Sequence, residues 1–267
     1  MSWRGGFSRR TERIGVAFLA CFCLAPAVGA DATRTGSCQK DRLTIALDIG
    51  HDLTHPGATS ALGVPEFTYN QALGREAARA LQAVGFTRIV LIGESGAPMP
   101  LHRRTRIARE AGAAVFVSLH HDSAQKQYFS TWMVDGRALP YSDAFQGYSI
   151  FVSTHAAQAR ESMALAADLG RALQGWGLTP SPHHAEPVAG ENRALLDPVL
   201  GIYQYNELAV LRGAAMPALL LESGVIVNRR EEQTIRAGGY HPRVAAALVD
   251  AISRHCARME EVRAAAR

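Results

Sequence analysis

Three residues in this chain combine reactive chemistry with a suggestive position. His51 follows the apolar run Leu43 to Ile49 and its terminal Gly50; His120 follows Ala113 to Leu119; Glu222 follows Ala218 to Leu221. In α/β sheets, working residues gather where strands end and loops begin. A lone histidine is more often a hydrogen-bonded core or surface residue than a ligand. Three such groups at equivalent positions carry more weight than any one of them. Two imidazoles and a carboxylate are the donor set of many catalytic zinc sites, in which three protein ligands leave a fourth position for water. Spacing alone does not choose the carboxylate: Asp48, Asp52, Glu66, Glu76, Asp122 and Glu222 all remain open. The chain has no H-E-x-x-H helix motif. It also lacks G-x-S-x-G, so a serine-nucleophile hydrolase is without its usual elbow.

The segments that must hold these groups alternate between two periodicities. Leu43–Ile49, Phe86–Ile92, Ala113–Leu119, Tyr148–Ser153 and Ala218–Leu221 read as strands covered on both faces. Between and after them, Phe67–Val84, Arg103–Glu110, Glu161–Trp176 and Pro242–Met259 read as helices. Leu73, Ala77, Ala80, Leu81 and Val84 recur at helical spacing in the first of these, and Gly85 stops it. Alternation of this kind predicts an α/β fold: a three-layer sandwich with a mostly parallel or mixed central sheet flanked by helices, in a single domain.

The first thirty residues read as an export signal to be removed after Ala30. Arg4, Arg9, Arg10 and Arg13 precede an apolar run from Ile14 to Val28, and Val28-Gly29-Ala30 offers a small-residue cleavage site. The run is shorter than the roughly twenty residues a membrane span requires, so no stable span is expected after cleavage. The expected location is periplasmic or secreted. The whole chain carries a formal charge of +4. Four arginines and one glutamate, a net +3, fall in residues 1–30, which leaves +1 for the rest. No basic stripe remains to argue for nucleic acid. Of four cysteines, Cys38 and Cys256 lie beyond the signal, one near each end; in an oxidising compartment they are candidates for a disulfide or two free thiols.

Four blocks give the chain a specific likeness. IALDIGHDLTHPGA (45–58), GVPEFTYNQAL (63–73), LHRRTRIAREAGAAVFVSLHHDS (101–123) and LAVLRGAAMPALLLESGVIVNRREE (208–232) follow one another in family order. Together they resemble the zinc-dependent N-acetylmuramoyl-L-alanine amidases that remodel bacterial cell walls. Carried over position by position, the resemblance implies His51, Glu66 and His120 as ligands of one zinc per chain, with Glu222 as the catalytic base. It implies peptidoglycan as substrate and the bond between the lactyl group of N-acetylmuramic acid and L-alanine as the one cut. The expected division is a signal at 1–30, a loose segment at 31–42 and a zinc amidase catalytic domain at 43–260. No long helical insertion and no separate wall-binding module is evident, so regulation would rest on a protein activator or on access to the wall. The rival expectations are a zinc peptidase acting on another wall bond and a non-catalytic wall-binding or activator relative.

Asp52-Leu53 replaces the Gly-Gly that usually follows the first histidine, and His121 stands where the family commonly has a small residue. On an extended backbone His120 and His121 point to opposite faces, so one of them ligates readily. The likeness favours His120. It leaves His121 and Arg104 for a supporting role or a substrate contact. Asn228 with Glu231 three residues on reads as a helix cap. His183, His184 and Glu186 form a metal-capable cluster in a Pro-rich segment expected to be a surface loop. Residues 124–146, with Tyr128, Phe129, Trp132 and Tyr141, are expected either to line a glycan cleft or to pack on the domain.

Overall fold

The structure, a computed structural model, describes residues 38–266. The expected signal at 1–30 and residues 31–37 of the expected loose segment lie outside the described residues. β1 (Thr44–Ile49), α1 (Glu66–Ala83), β2 (Arg88–Ile92), α2 (Leu101–Glu110) and β3 (Val115–Asp122) open the fold with helical crossovers between parallel strands. A separate hairpin, β4 (Ser130–Val134) and β5 (Arg137–Tyr141), follows. Then come β6 (Ser149–Val152), α3 (Ala159–Gly175), β7 (Leu195–Asp197), β8 (Ile202–Gln204), α4 (Ala209–Arg212), β9 (Ala218–Val225), α5 (Arg229–Arg236) and α6 (Tyr240–Ala265).

Seven strands form one mixed sheet in the order β2-β1-β3-β9-β6-β8-β7. β2, β1, β3 and β9 are parallel; β6 joins β9 antiparallel and β8 joins β6 parallel. Side-chain alternation assigns the two faces. Ile45, Leu47, Val117, Leu119, Leu219 and Leu221 enter the larger core with α1, α3 and α6. Ala46, Phe116, Ala218 and Leu220 face a thinner layer containing Ala108 of α2 and Val210 and Leu211 of α4. The fold is thus the expected three-layer sandwich. Residues of even number near the strand ends, Asp48, Ser118, His120 and Glu222, continue the face of the thinner layer.

The reach of β3 and β9 and the burial of two histidines depart from the sequence reading, and residues 124–146 follow one of its two alternatives. β3 and β9 run on to Asp122 and Val225, past the apolar residues that marked them, so His120 and Glu222 stand inside paired strand rather than after it. Cross-strand hydrogen bonds in a central sheet hold polar residues in strand when their side chains have partners. Residues 124–146 contain the β4–β5 hairpin, which packs on the domain: Trp132 Nε1 donates to the Ala61 carbonyl at 2.8 Å and the Arg229 guanidinium lies 3.9 Å from the Tyr141 ring centroid. The 179–193 segment has Pro182, Pro187 and Asn192 exposed, as expected of a surface loop, but its two histidines turn inward. His183 and His184 are 2% and 6% exposed.

Cys38 and Cys256 are joined, with Cα atoms 5.3 Å apart at a sequence separation of 218. In the chain-entropy picture a loop of that size constrains the unfolded state by about 5 kcal/mol. Exported protein is expected to begin at Asp31 and to have an intact mass lower than the reduced chain by two hydrogens. A mass equal to that of the reduced chain would show free thiols, and a different N-terminus would move the cleavage site. Among the described residues no helix is long and apolar enough to cross a membrane.

Candidate metal centre and active site

Gly50 ends β1, and the next residue, His51, takes φ +68°. A left-handed non-glycine backbone costs on the order of 1–3 kcal/mol and persists where surrounding structure dictates it. Arg104 of α2 does so here. Buried to 2% exposure, it donates from Nη1 to the Ile49 carbonyl at 2.5 Å and from Nη2 to the His51 carbonyl at 2.6 Å. Nη1 also meets Asp48 Oδ1 at 2.7 Å, while Ser118 donates to Asp48 Oδ2 at 2.7 Å. Arg104 therefore acts on the backbone that presents His51, and it is already paired. Arg212 pairs with Glu207. Neither arginine neutralises Glu222.

The loop after His51 folds back through Asp52, whose Oδ1 accepts from the amides of Thr54 and His55, each at 2.8 Å. The hydrogen bond from Thr54 is the first cause holding the Asp52 carboxyl below the usual range. The loop then runs along the start of α1, where Glu66 N donates to the Ala58 carbonyl at 2.9 Å and Phe67 N to the Pro56 carbonyl at 3.0 Å. These backbone acceptors satisfy helix N–H groups that a capping side chain would otherwise serve. Glu66 thereby stands in the first turn, where the helix dipole favours a negative charge. Gly57 leaves room for it: a Cβ there would run into Glu66 Oε2 and His51 Nε2, and its φ of +79° favours glycine.

His51 Nε2 lies 3.1 Å from Glu66 Oε2, and His120 Nδ1 lies 3.1 Å from Glu66 Oε1. The three donor atoms are within 4.8 Å of one another. Tetrahedral zinc with bonds of 2.0–2.1 Å spaces its ligand atoms about 3.3 Å apart, so this donor set fits such an ion. Burial pushes the Glu66 carboxyl up, but hydrogen bonds and charges from His120 and His51 outweigh it and hold Glu66 well below the carboxylate range. His51 is raised: burial pulls it down, and the Glu66 hydrogen bond and charge overcome that pull. An ionised carboxylate between two imidazoles is the state a divalent cation needs. A cleft of about 250 Å³, with His51, His55, Met99, His120 and Val210 in its wall, opens beside the three donors.

Glu66 is fixed by further partners. Asn70 Nδ2 donates to Glu66 Oε1 at 3.0 Å and lies 3.2 Å from the Gly50 carbonyl; Ala58 N donates to Oε2 at 3.1 Å. Both oxygens facing the Asn70 amide nitrogen are acceptors, so Asn70 Oδ1 must point to His121 Nδ1, 2.8 Å away. His121 then carries its proton on Nδ1 and accepts at Nε2 from His241 Nε2, 3.3 Å away. Burial, then His241, keeps His121 well below the ordinary histidine range, and burial takes His241 down to about 4. Both rings are neutral near pH 7. His121 is thus committed to a chain ending on Glu66 and points away from the donors that His120 joins. His241 was not singled out by sequence; its only signal is its place at the start of the last amphipathic helix.

Across the sheet, His120 pairs in register with Glu222, and Ser149 of β6 flanks Glu222 on the other side. Glu222 Oε2 is fully enclosed and has no hydrogen-bond partner. Burial first, then the charges of Asp122, Glu66 and Glu191, push its carboxyl well above the ordinary value. A buried carboxylate without a partner is costly for stability, and functional sites are where such costs are retained. Asp122, which contributes to this field, is among the acids that spacing leaves open, and Glu191 carries no signal in the sequence. Burial pulls His184 down, yet Asp122 and Glu191 push it up to about 9. Asn228 caps α5 as expected, accepting from Arg230 N and Glu231 N at 3.0 Å. Glu231 does not close the box. It reaches instead to Gly147 N and Val225 N, and burial pushes it up to about 7.

Residues 45–254, more than three quarters of the chain, match the family described as Amidase_3, N-acetylmuramoyl-L-alanine amidase. The chain belongs to this family. A curated relative from Haemophilus influenzae, described as a probable N-acetylmuramoyl-L-alanine amidase AmiB, is 26% identical over 221 residues, covering 76% of this chain and 50% of that protein. The chain thus spans about half the length of the curated relative it matches. Among solved structures, the catalytic domain of CwlV, an N-acetylmuramoyl-L-alanine amidase from Bacillus (Paenibacillus) polymyxa, superposes with a TM-score of 0.60 at 24% identity, over 79% of this chain and 97% of that one. Ami1 from Mycobacterium smegmatis gives 0.64 at 18% identity, over 81% and 98%. These structural likenesses establish the amidase fold for the described domain.

Proposed function

We propose that this family member is an exported zinc-dependent N-acetylmuramoyl-L-alanine amidase, with residues 43–260 as its catalytic domain and peptidoglycan as its substrate. The observation that carries the reading is the unpartnered, enclosed carboxylate oxygen of Glu222, on the strand beside His120 and its companions His51 and Glu66. His51, Glu66 and His120 would hold the zinc, which when bound polarises the amide carbonyl and makes water acidic enough to attack near neutral pH. Glu222 accepts the proton that the attacking water gives up and delivers it to the departing nitrogen of L-alanine. Burial and the negative neighbours raise its proton affinity, which favours taking the water's proton once the carboxyl is ionised, and a cation on Glu66 would offset part of that field. Arg104, through the Ile49 and His51 carbonyls, and His121, through Asn70, keep the ligands in place. Action on the wall places the protein outside the cytoplasm, in the periplasm or secreted.

Digested sacculi provide the test. The expected products carry free lactyl carboxylates on the glycan and new L-alanine amino termini on the stem peptides. New amino termini at any other stem residue, with intact lactyl amides, would assign a peptidase instead. No solubilisation by zinc-loaded protein would leave a wall-binding role.

A further inference from the structure

A second set of metal-capable donors shares no residue with the first and lies close enough for its Asp122 to act on Glu222. Asp122 ends β3, and His183 and His184 lie in the segment between α3 and β7. His184 Nε2 is 2.8 Å and His183 Nε2 is 3.3 Å from the same oxygen, Asp122 Oδ2. All three residues are more than nine-tenths buried. Their donor atoms lie within 4.8 Å of one another.

The outward nitrogens are also tied down. His183 Nδ1 meets Ser181 Oγ at 2.7 Å, and His184 Nδ1 meets Glu191 Oε2 at 2.8 Å; Gln125 Nε2 in turn donates to Glu191 Oε1 at 2.7 Å. Metal-binding histidines typically hold their far nitrogen in this way, on a carboxylate or hydroxyl that orients the ring. A proton accounts for less of the arrangement. It can bridge His184 and Asp122, but His183 Nε2 stays enclosed with no hydrogen-bond partner, aimed at the same oxygen. A cation at the convergence of the three atoms would satisfy both imidazoles and the carboxylate at once.

We infer that Asp122, His183 and His184 form a second divalent-metal site, separate from the His51, Glu66 and His120 centre, suited to zinc or a neighbouring first-row ion. Neutral imidazole and carboxylate donors favour that class of ion over calcium or magnesium, which take oxygen ligands. The site is more enclosed than the first, where the His51 side chain is 31% exposed. The burial of the three donors suits an ion that holds structure, with an enclosed water completing the coordination that three protein ligands leave open. The ion clips the 181–191 segment to the end of β3 and so fixes the wall beside Glu222. This inference goes beyond the proposed amidase reaction and does not depend on it.

Metal content of purified full-length chain, loaded with zinc, desalted and measured by elemental mass spectrometry, is the test. The expected counts are about two zinc per chain in the wild type, one in His51→Ala and one in His183→Ala/His184→Ala. His51→Ala leaves the second site intact, so the result stands even if the double variant fails to fold. One zinc in the wild type and none in His51→Ala would overturn the second site and leave the first standing. Two zinc in a folded double variant would overturn it as well. One zinc that survives His51→Ala but not the double substitution would support the second site and remove the proposed catalytic ligands.

Discussion

Glu222→Gln is expected to keep its zinc and lose turnover by about 100- to 10,000-fold, equivalent to roughly 3–5 kcal/mol of barrier. The side chain touches none of the proposed ligands through a hydrogen bond, and its enclosed oxygen has no partner to lose. Gln is nearly isosteric and remains able to hydrogen-bond water, but it cannot take a proton. Burial of an uncharged amide where a carboxyl is now held by burial and three negative neighbours should also leave stability unchanged or improved. Metal content, thermal unfolding and sacculus digestion measured on one preparation decide the matter. Loss of the ion together with activity would make Glu222 a ligand; near-normal activity would refute the proposed mechanism.

The second large effect is at the proposed ligands. His51→Ala, Glu66→Ala and His120→Ala should each lower the zinc content by one per chain and abolish wall digestion. Glu66→Ala should in addition destabilise the fold more than the other two. It leaves Asn70 Nδ2, Ala58 N and His121 N without the acceptor they share. Each buried donor so stranded costs about 1–3 kcal/mol. Full metal occupancy in His120→Ala would transfer the ligand role to His121, whose ring would then have to leave Asn70 and His241. Equal stability of all three variants would show that the Glu66 hydrogen bonds are readily replaced by water.

Much of this site was legible because strands buried on both faces are continuous apolar runs, and a polar residue at the end of one is conspicuous. His51, His120 and Glu222 were found in that way. Glu66 was not: it begins a helix after a sixteen-residue loop and looks, by spacing, like any first-turn acid. The family likeness supplied it. Arg104 is a third kind of case, an exposed-looking residue in the sequence L-H-R-R-T-R whose burial depends on Asp48 and two carbonyls from β1. No local pattern distinguishes it from Arg103. β7 and β8, at three residues each, are too short to show a period, and they exist because β6 offers an edge. The 179–193 segment misled for a physical reason. Proline, serine and histidine mark exposed turns when nothing lies above them, but here Tyr203 donates to the Ser181 carbonyl, Tyr148 accepts from Ser181 N and Phe145 stacks on His183.

The bond between Cys38 and Cys256 also alters how the domain bears load. The first residue the structure describes and a residue late in α6 are covalently one point, with β1 through β9 enclosed between them. Tension applied from the chain before Cys38 to the chain beyond Cys256 passes through the two sulfurs. It does not peel β1 from its neighbours or draw α6 off the sheet. In a stretched polymer network, where an attached molecule is pulled at its ends, the strands that present His51, His120 and Glu222 would remain mechanically slack until the bridge is reduced.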